Sequence, residues 1–243
     1  MTLKPPDLPQ DAAYTSHWCE ENVYLLIQSF SRDSSLSEDW DVFAVFISNH
    51  SKTAPDLNVH LTLQVALWNQ KLSEELGCPV IWDYHVVAVL RPRNISTSIQ
   101  SWVYDFDTRL GIPVTFDTYL VQTFSANVLD ELQSYFRVVS ANVFLDRFAS
   151  DRSHMLAPTS GTLEVPIYLE PVPPYPLIRG AHCTSTHNIM DFVSMLPSDG
   201  CGNVFSLQAV DDFFGLKEEP KPLPRKAKPA SIILDVGNDV FAE

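Results

Sequence analysis

The spacing of apolar and polar positions first predicts a helix followed by a strand. The helix begins at Cys19, because the next apolar residues recur with the i, i+3, i+4, i+7 spacing of one helix face. These residues are Val23, Leu26, Ile27 and Phe30. Glu20 and Glu21 lie in the first turn, where acidic side chains favour the positive end of the helix dipole. Residues 41–48, DVFAVFIS, are β-branched and aromatic and predict a strand.

The rest of the chain alternates between short predicted strands and helices. Strands are predicted over 79–90 and 101–107, and β-rich or mixed segments over 114–121 and 136–141. Helices are predicted over 63–76, 127–133, 142–148 and 189–196. Residues 204–214 are predicted to form a strand that runs into a helix ending at Gly215. This mixture of elements predicts an α/β (α+β) domain.

Proline-rich segments mark the ends of that domain. Residues 1–13 are predicted to be flexible, residues 14–215 to form the catalytic domain, and residues 216–243 to be a Pro- and Lys-rich linker and tail. The tail contains an apolar patch at 231–236 that could dock on a partner or add a strand, although disorder is the favoured interpretation. Six prolines between 156 and 179 predict an extended arm over the surface.

Composition narrows the classes of partner and compartment. With 45% hydrophobic residues the chain can bury a core. Its 16 basic and 30 acidic residues give a net charge of −14, which argues against nucleic acid or a membrane surface as the main partner. The four cysteines form no Cys-x-x-Cys pair, so we expect reduced thiols, no metal and no cofactor. Without a signal-like or membrane-spanning apolar stretch, we expect the cytosol, with the nucleus as a second compartment.

Cys19 is the candidate nucleophile. At a helix N-terminus, backbone N–H groups and the helix dipole stabilise a thiolate and lower the pKa of the thiol. Glu20 and Glu21 oppose this effect unless they point away or are neutralised by a bound cation, such as a substrate. The alternative is that Cys19 is a small buried residue beside an ordinary acidic first turn.

His85 is the candidate base, and its orienting carboxylate is open between two aspartates. If the strands 79–90 and 101–107 form an antiparallel hairpin folded about residue 95, His85 lies opposite Asp105. That register also places Asp83 opposite Asp107, an unfavourable like-charge pair. A shift of two residues pairs His85 with Asp107 instead. Periodicity alone does not choose between Asp105 and Asp107.

A nucleophile at a helix N-terminus, with a base and its orienter on adjacent strands, is typical of thiol hydrolases. Eight segments carry a closer resemblance: HWCEENVYLL (17–26), VFAVFISN (42–49), PVIWDYHVV (79–87), VYDFDT (103–108), FDTY (116–119), FASDRSHM (148–155), PPYP (173–176) and DFVSM (191–195). Through them residues 14–215 resemble the protein N-terminal glutamine amidohydrolases. The resemblance implies a Cys19, His85 and Asp105 triad on a papain-like or transglutaminase-like fold, with an antiparallel sheet packed with helices, acting as a monomer.

The implied reaction converts an N-terminal glutamine of a protein or peptide to glutamate and ammonia, upstream of arginylation and degradation. Carboxylates would bind the substrate ammonium, and Glu20 and Asp83 are the candidates. Trp82 is a further candidate for the pocket wall, although core packing is the favoured interpretation. A buried Arg–Asp pair around Arg152 is expected to brace the site. A papain-like peptidase or transglutaminase-like acyltransferase, and a non-catalytic module that binds N-termini, remain alternatives.

Overall fold

A six-stranded antiparallel sheet organises the protein, in the spatial order Asn203–Ser206, Tyr135–Ser140, Trp40–Ser48, His85–Pro92, Trp102–Tyr104 and Val114–Thr115. The computed structural model describes residues 3–49, 64–94, 100–158 and 165–215. The sheet strands are β1 (Trp40–Ser48), β4 (His85–Pro92), β5 (Trp102–Tyr104), β6 (Val114–Thr115), β7 (Tyr135–Ser140) and β10 (Asn203–Ser206). Two short strand pairs lie outside it: β2 (Val65–Leu67) with β3 (Val80–Trp82), and β8 (Ala149–Ser150) with β9 (Ile178–Arg179).

Helices cover both faces of this sheet. They are α1 (Cys19–Arg32), α2 (Ser34–Asp39), α3 (Phe116–Thr123), α4 (Ala141–Arg147), α5 (Ile189–Val193) and α6 (Leu207–Phe214). Buried side chains of α1, α4 and α5 form one core cluster with the sheet, and those of α3 and α6 form a second. Among the described residues, no helix is long and apolar enough to span a membrane.

The two central strands are apolar at nearly every position because they are covered on both sides. In β1, Ala44 and Phe46 face the α1 cluster, whereas Val45 and Ile47 face the α6 cluster. A strand buried on both faces loses the simple apolar–polar alternation of a half-exposed strand. The predicted mixed α+β architecture with an antiparallel sheet is therefore confirmed.

The predicted helix over 63–76 is wrong. Its apolar residues Val65–Leu67 form β2, which pairs with β3, and the chain then turns until Gly77, whose φ of 88° only glycine adopts readily. Pairing with a distant strand outweighs the local helix preference here. Residue 63, the first of the predicted helix, lies outside the described residues.

The predicted strand over 79–90 is divided in two at Asp83 and Tyr84. β3 ends at Trp82 and β4 begins at His85, so the face alternation does not continue across the break. Unbroken alternation would place Trp82 on the same face of the sheet as Val86. Because of the break, Trp82 packs with the α6 cluster, on the same face as Val87.

Other elements are shorter than predicted. The strand predicted over 101–107 ends at Tyr104, and the helix predicted over 127–133 is one 3₁₀ turn at Asp130–Leu132. The mixed segment over 114–121 contains β6 and the start of α3, and 204–214 forms β10 and α6 as predicted.

The N-terminal segment, predicted to be flexible, packs against the domain. Leu3 and Leu8 contact the α1 core cluster, and the hydroxyl of Tyr104 donates a 2.6 Å hydrogen bond to the Pro6 carbonyl. The proline-rich arm is also attached, since Trp18 Nε1 donates to the Pro171 carbonyl. The predicted linker and tail at 216–243 lie outside the described residues.

Candidate active site

A cavity of about 280 Å³ lies where the start of α1 meets the start of β4. Its lining includes Cys19, Trp82, Asp83, Tyr84, Asp107 and His154. A larger cavity of about 460 Å³ lies beside α3 and α6, and its lining residues include neither cysteine nor histidine. The smaller cavity therefore contains the candidate nucleophile and is small enough to favour a single side chain.

The loop before α1 fixes the position of Cys19. Asn22 in the first turn accepts from the Thr15 N–H at 2.9 Å and donates back to its carbonyl at 2.8 Å. His17 adopts φ of 66°, which redirects the chain just before the helix. No side chain caps the helix at Trp18. Cys19 thus begins α1 with the positive end of the helix dipole beside its sulfur.

A carboxylate lies unusually close to that sulfur. Cys19 Sγ is 3.6 Å from Oε2 of Glu20. Burial, followed by the negative charge of Glu20, raises the pKa of Cys19 well above its ordinary value. The thiol is therefore the favoured form of Cys19 before anything binds.

His85 is held by a buried carboxylate. Its Nε2 lies 2.9 Å from Oδ1 of Asp105, and the two side chains are 1% and 0% exposed. The indole ring of Trp82 stacks on the imidazole with centroids 5.5 Å apart. Nδ1 of His85 has no hydrogen-bond partner among the described residues. Burial alone would lower the pKa of His85. The charge and hydrogen bond of Asp105, together with the charges of Asp107 and Glu20, outweigh burial and leave this pKa above its usual value.

Asp105 is surrounded by further donors. Its Oδ1 also accepts from the Asp107 N–H at 2.9 Å, and its Oδ2 accepts from the Tyr119 hydroxyl at 2.9 Å. Gln70 Nε2 approaches Oδ2 at 3.4 Å. Burial opposes the charge, but His85 and these hydrogen bonds hold the pKa of Asp105 below its ordinary value. Neither Tyr119 nor Gln70 was expected from the sequence, because both come from elements distant along the chain.

The hairpin register differs from the first alternative. Ala88 pairs with Tyr104 and Val89 with Val103, which is the register shifted by two residues. Continued ideally, it would place Asp107 opposite His85. β5 ends at Tyr104, however, and the turn that follows brings the Asp105 carboxylate back to the imidazole. Local backbone geometry thus selects Asp105, although the strand pairing alone would favour Asp107.

Three acidic and histidine side chains at this site lie close enough together to hold a metal ion. His85, Asp105 and Asp107 each offer one ligand atom, and these atoms lie within 4.8 Å of one another. Asp105 already accepts the hydrogen bonds described above, and Asp107 Oδ1 accepts from the Tyr14 hydroxyl at 2.7 Å. A metal would have to displace these donors, so the three side chains fit a hydrogen-bonded cluster better than a metal site.

The cavity wall is acidic. Asp83 and Asp107 line it, whereas Glu20 is fully buried behind it, and none of the lining residues is Lys or Arg. Of the two candidates for ammonium binding, Asp83 therefore reaches the cavity and Glu20 does not. Trp82 lines the cavity and also packs against the α6 cluster, so its position is compatible with both sequence interpretations. Asp107 is an additional acidic residue that the sequence had suggested only as an orienter.

An ion pair braces the base of α1. Both carboxylate oxygens of Glu21 accept hydrogen bonds from Arg152, at 2.9–3.2 Å. The guanidinium also donates to the carbonyls of Pro173 and Tyr175 in the proline-rich arm. The expected bracing role of Arg152 fits this geometry, but its partner is Glu21 and not an aspartate, because α1 and not the local loop supplies the acid.

Residues 14–214 match the model of the N-terminal glutamine amidase family. The chain belongs to the N-terminal glutamine amidase family. It is 37% identical to the protein N-terminal glutamine amidohydrolase of Homo sapiens, over 88% of this chain and 94% of that protein.

Two further relatives carry the same name. The Bos taurus protein is 38% identical over 84% of this chain and 88% of its own length, and the Drosophila grimshawi protein is 34% identical over 84% and 89%. The resemblance identified in the sequence is confirmed, as is the prediction of a hydrolase of this family.

Proposed function

We propose that this protein hydrolyses the side-chain amide of an N-terminal glutamine in proteins and peptides, with Cys19, His85 and Asp105 as its catalytic triad. One observation carries the assignment of the residues. Asp105 holds Nε2 of His85, while Nδ1 has no hydrogen-bond partner among the described residues and the cavity wall contains Cys19. The family names of the relatives support the choice of substrate.

The first half of the reaction forms an acyl-enzyme. Nδ1 of His85 takes the thiol proton of Cys19, and the thiolate attacks the amide carbon of the substrate. The backbone N–H of Cys19, at the uncapped start of α1, is the proposed donor to the oxyanion. The His85 imidazolium then protonates the leaving nitrogen, ammonia departs, and a thioester to Cys19 remains.

The second half releases the product. His85 removes a proton from water, the resulting hydroxide attacks the thioester carbonyl, and the Cys19 thiolate leaves. The product is a peptide with an N-terminal glutamate. Asp105 holds one tautomer of His85 throughout and stabilises its charged form, which is consistent with the direction of both pKa shifts.

Selectivity for an N-terminal residue requires recognition of the free ammonium. Asp83 is the proposed carboxylate, with Asp107 adding negative charge to the same wall. Fixing the ammonium sets the distance to the sulfur, so an asparagine side chain, one methylene shorter, falls short of Cys19. Trp82 forms the part of the cavity wall beside His85. Glu20 is buried behind that wall and contributes only its negative charge.

We propose a papain-like or transglutaminase-like monomer that acts in the cytosol and nucleus and prepares proteins for arginylation and degradation. The antiparallel sheet and the position of Cys19 at the start of α1 support the fold assignment.

A substrate panel tests the proposal. The full chain is incubated with peptides that begin with Gln, their N-acetylated forms, peptides with internal Gln, and free glutamine, and released ammonia is measured. We expect ammonia from the free N-terminal Gln peptides only. Peptide-bond cleavage or amine incorporation would favour a peptidase or an acyltransferase, and binding without turnover would favour a non-catalytic module. Each of these results would overturn the proposal.

A further inference from the structure

A second histidine–carboxylate pair contacts the candidate nucleophile. Glu20 lies 3.6 Å from Cys19 Sγ through its Oε2, and its Oε1 lies 3.3 Å from Nε2 of His154. Glu20 is fully buried, whereas the side chain of His154 is 16% exposed and lines the cavity. The catalytic steps proposed above give His154 no part.

This pair is only partly satisfied. Oε1 of Glu20 and both ring nitrogens of His154 are buried without a well-formed hydrogen bond in the part of the chain that the structure describes. Oε2 of Glu20 accepts from the neutral Tyr84 hydroxyl at 3.2 Å. A buried carboxylate is costly unless a positive charge accompanies it, and His154 is the only basic side chain within ion-pair distance of Glu20 among those same residues.

The surroundings of His154 identify Glu20 as its nearest charge. Its ring contacts the edge of Trp18 at 5.6 Å and stacks on His187 at 5.2 Å. His187 Nδ1 lies 3.3 Å from an oxygen of Asp151, and Asp83 lines the same cavity as His154. Both aspartates favour positive charge in this region, while His187 opposes it when it is itself protonated.

We propose that His154 is a positioning residue that sets the ionisation of Cys19 through Glu20. When His154 is charged, its imidazolium cancels the carboxylate beside the sulfur, and the thiolate forms more readily. When His154 is neutral, the uncompensated charge of Glu20 keeps the proton on Cys19. This inference rests on the proposed function in one respect, namely that Cys19 is the nucleophile.

Thiol alkylation tests this without a substrate. The full chain is treated with iodoacetamide between pH 5 and 9, and the modification of Cys19 is followed by peptide mass spectrometry, which separates it from Cys78, Cys183 and Cys201. Glu20→Gln should raise the rate at pH 7, about tenfold for each unit by which the pKa of Cys19 falls. His154→Gln should lower the rate, because Glu20 then keeps its full effect.

The double variant distinguishes the route. In the Glu20→Gln background, His154→Gln should change the rate less than twofold, because the carboxylate that pairs with His154 beside the sulfur is gone. His154→Lys, which retains a positive charge, should restore most of the rate lost in His154→Gln, a rescue that a purely structural role would not give. His187→Gln is the matched control, because His187 stacks on the same ring without reaching Glu20, and it should change the rate less than twofold.

An equal loss of alkylation rate from His154→Gln in the parent and in the Glu20→Gln background would overturn the inference. Failure of His154→Lys to restore that rate would also overturn it. These results are independent of amide turnover. Loss of amidase activity against every substrate alongside the expected alkylation pattern would refute only the proposed function. An additive alkylation pattern in an enzyme that deamidates N-terminal Gln would refute only the role of His154.

Discussion

Two histidine–carboxylate pairs adjoin the cavity at Cys19, and they differ in how completely their atoms are bonded. His85 and Asp105 lie 2.9 Å apart, and both oxygens of Asp105 accept further hydrogen bonds. His154 and Glu20 lie 3.3 Å apart, with ring and carboxylate atoms that have no well-formed bond among the described residues. The first pair can maintain one tautomer through a reaction cycle, whereas no comparable set of hydrogen bonds holds the second pair in one arrangement.

The largest effect is expected when the nucleophile, or the base of the first pair, is removed. Cys19→Ala and His85→Ala should each lower kcat by about 10⁶-fold, since nucleophile and base act as one unit. Ammonia release from a Gln-initiated peptide measures this loss. Cys78→Ala is the matched control, because Cys78 is exposed and lies outside the lining of the cavity. Activity within tenfold of the parent in either catalytic variant would refute the triad.

The next effect separates the two aspartates. Asp105→Asn should lower kcat by about 10³- to 10⁴-fold, because an amide does not stabilise the imidazolium and can favour the wrong tautomer. Asp107→Asn should cost much less in kcat, since the Asp107 side chain accepts from Tyr14 and not from His85. Steady-state kinetics measures the difference, once both variants have been shown to be folded to the same extent. Equal losses, or a larger kcat loss at Asp107, would contradict the orienting role of Asp105.

A third effect concerns the support of α1 beside the second pair. Arg152→Ala leaves the buried charge of Glu21 without its partner, and the free energy of unfolding should fall by about 3–5 kcal/mol. Arg147→Ala, which removes an ion pair with an exposed arginine, should leave stability unchanged. Urea unfolding followed by tryptophan fluorescence compares the two variants. Equal stability of both would show that the Glu21–Arg152 contact contributes nothing.

The smallest effect is expected when one of the hydrogen bonds to Asp105 of the first pair is removed. Tyr119→Phe removes one hydrogen bond to Asp105 Oδ2 and should lower kcat by about fivefold, corresponding to about 1 kcal/mol, with KM nearly unchanged. Tyr14→Phe is the comparison, because its hydroxyl bonds to Asp107 instead. The kcat loss should be the larger at Tyr119. A rise in KM alone would indicate that Tyr119 affects binding and not the state of Asp105.

The sequence could predict the elements whose signal is local. The start of α1 at Cys19 follows from helical spacing and acidic first-turn residues, and β1 follows from a run of β-branched and aromatic side chains. The resemblance to the family added the choice of Asp105, which periodicity could not supply.

Features that depend on distant pairing were not predictable from one sequence. Residues 65–67 contain apolar side chains that suit a helix or a strand, and only β3 determines the outcome. The Glu21–Arg152 contact joins residues 131 positions apart, and the Tyr119 bond to Asp105 depends on where α3 packs. No local pattern encodes such contacts, so they appear only when the chain is folded.

The most direct test of the central claim uses a peptide that begins with 6-diazo-5-oxo-L-norleucine, an electrophilic analogue of glutamine. The thiol proton is transferred to the diazo carbon, the sulfur attacks that carbon and dinitrogen leaves. The stable alkyl adduct that remains is located by peptide mass spectrometry. We predict an adduct on Cys19 alone, formed with the free N-terminal peptide and absent with its N-acetylated form. An adduct on another residue, or equal labelling by the acetylated peptide, would contradict the account.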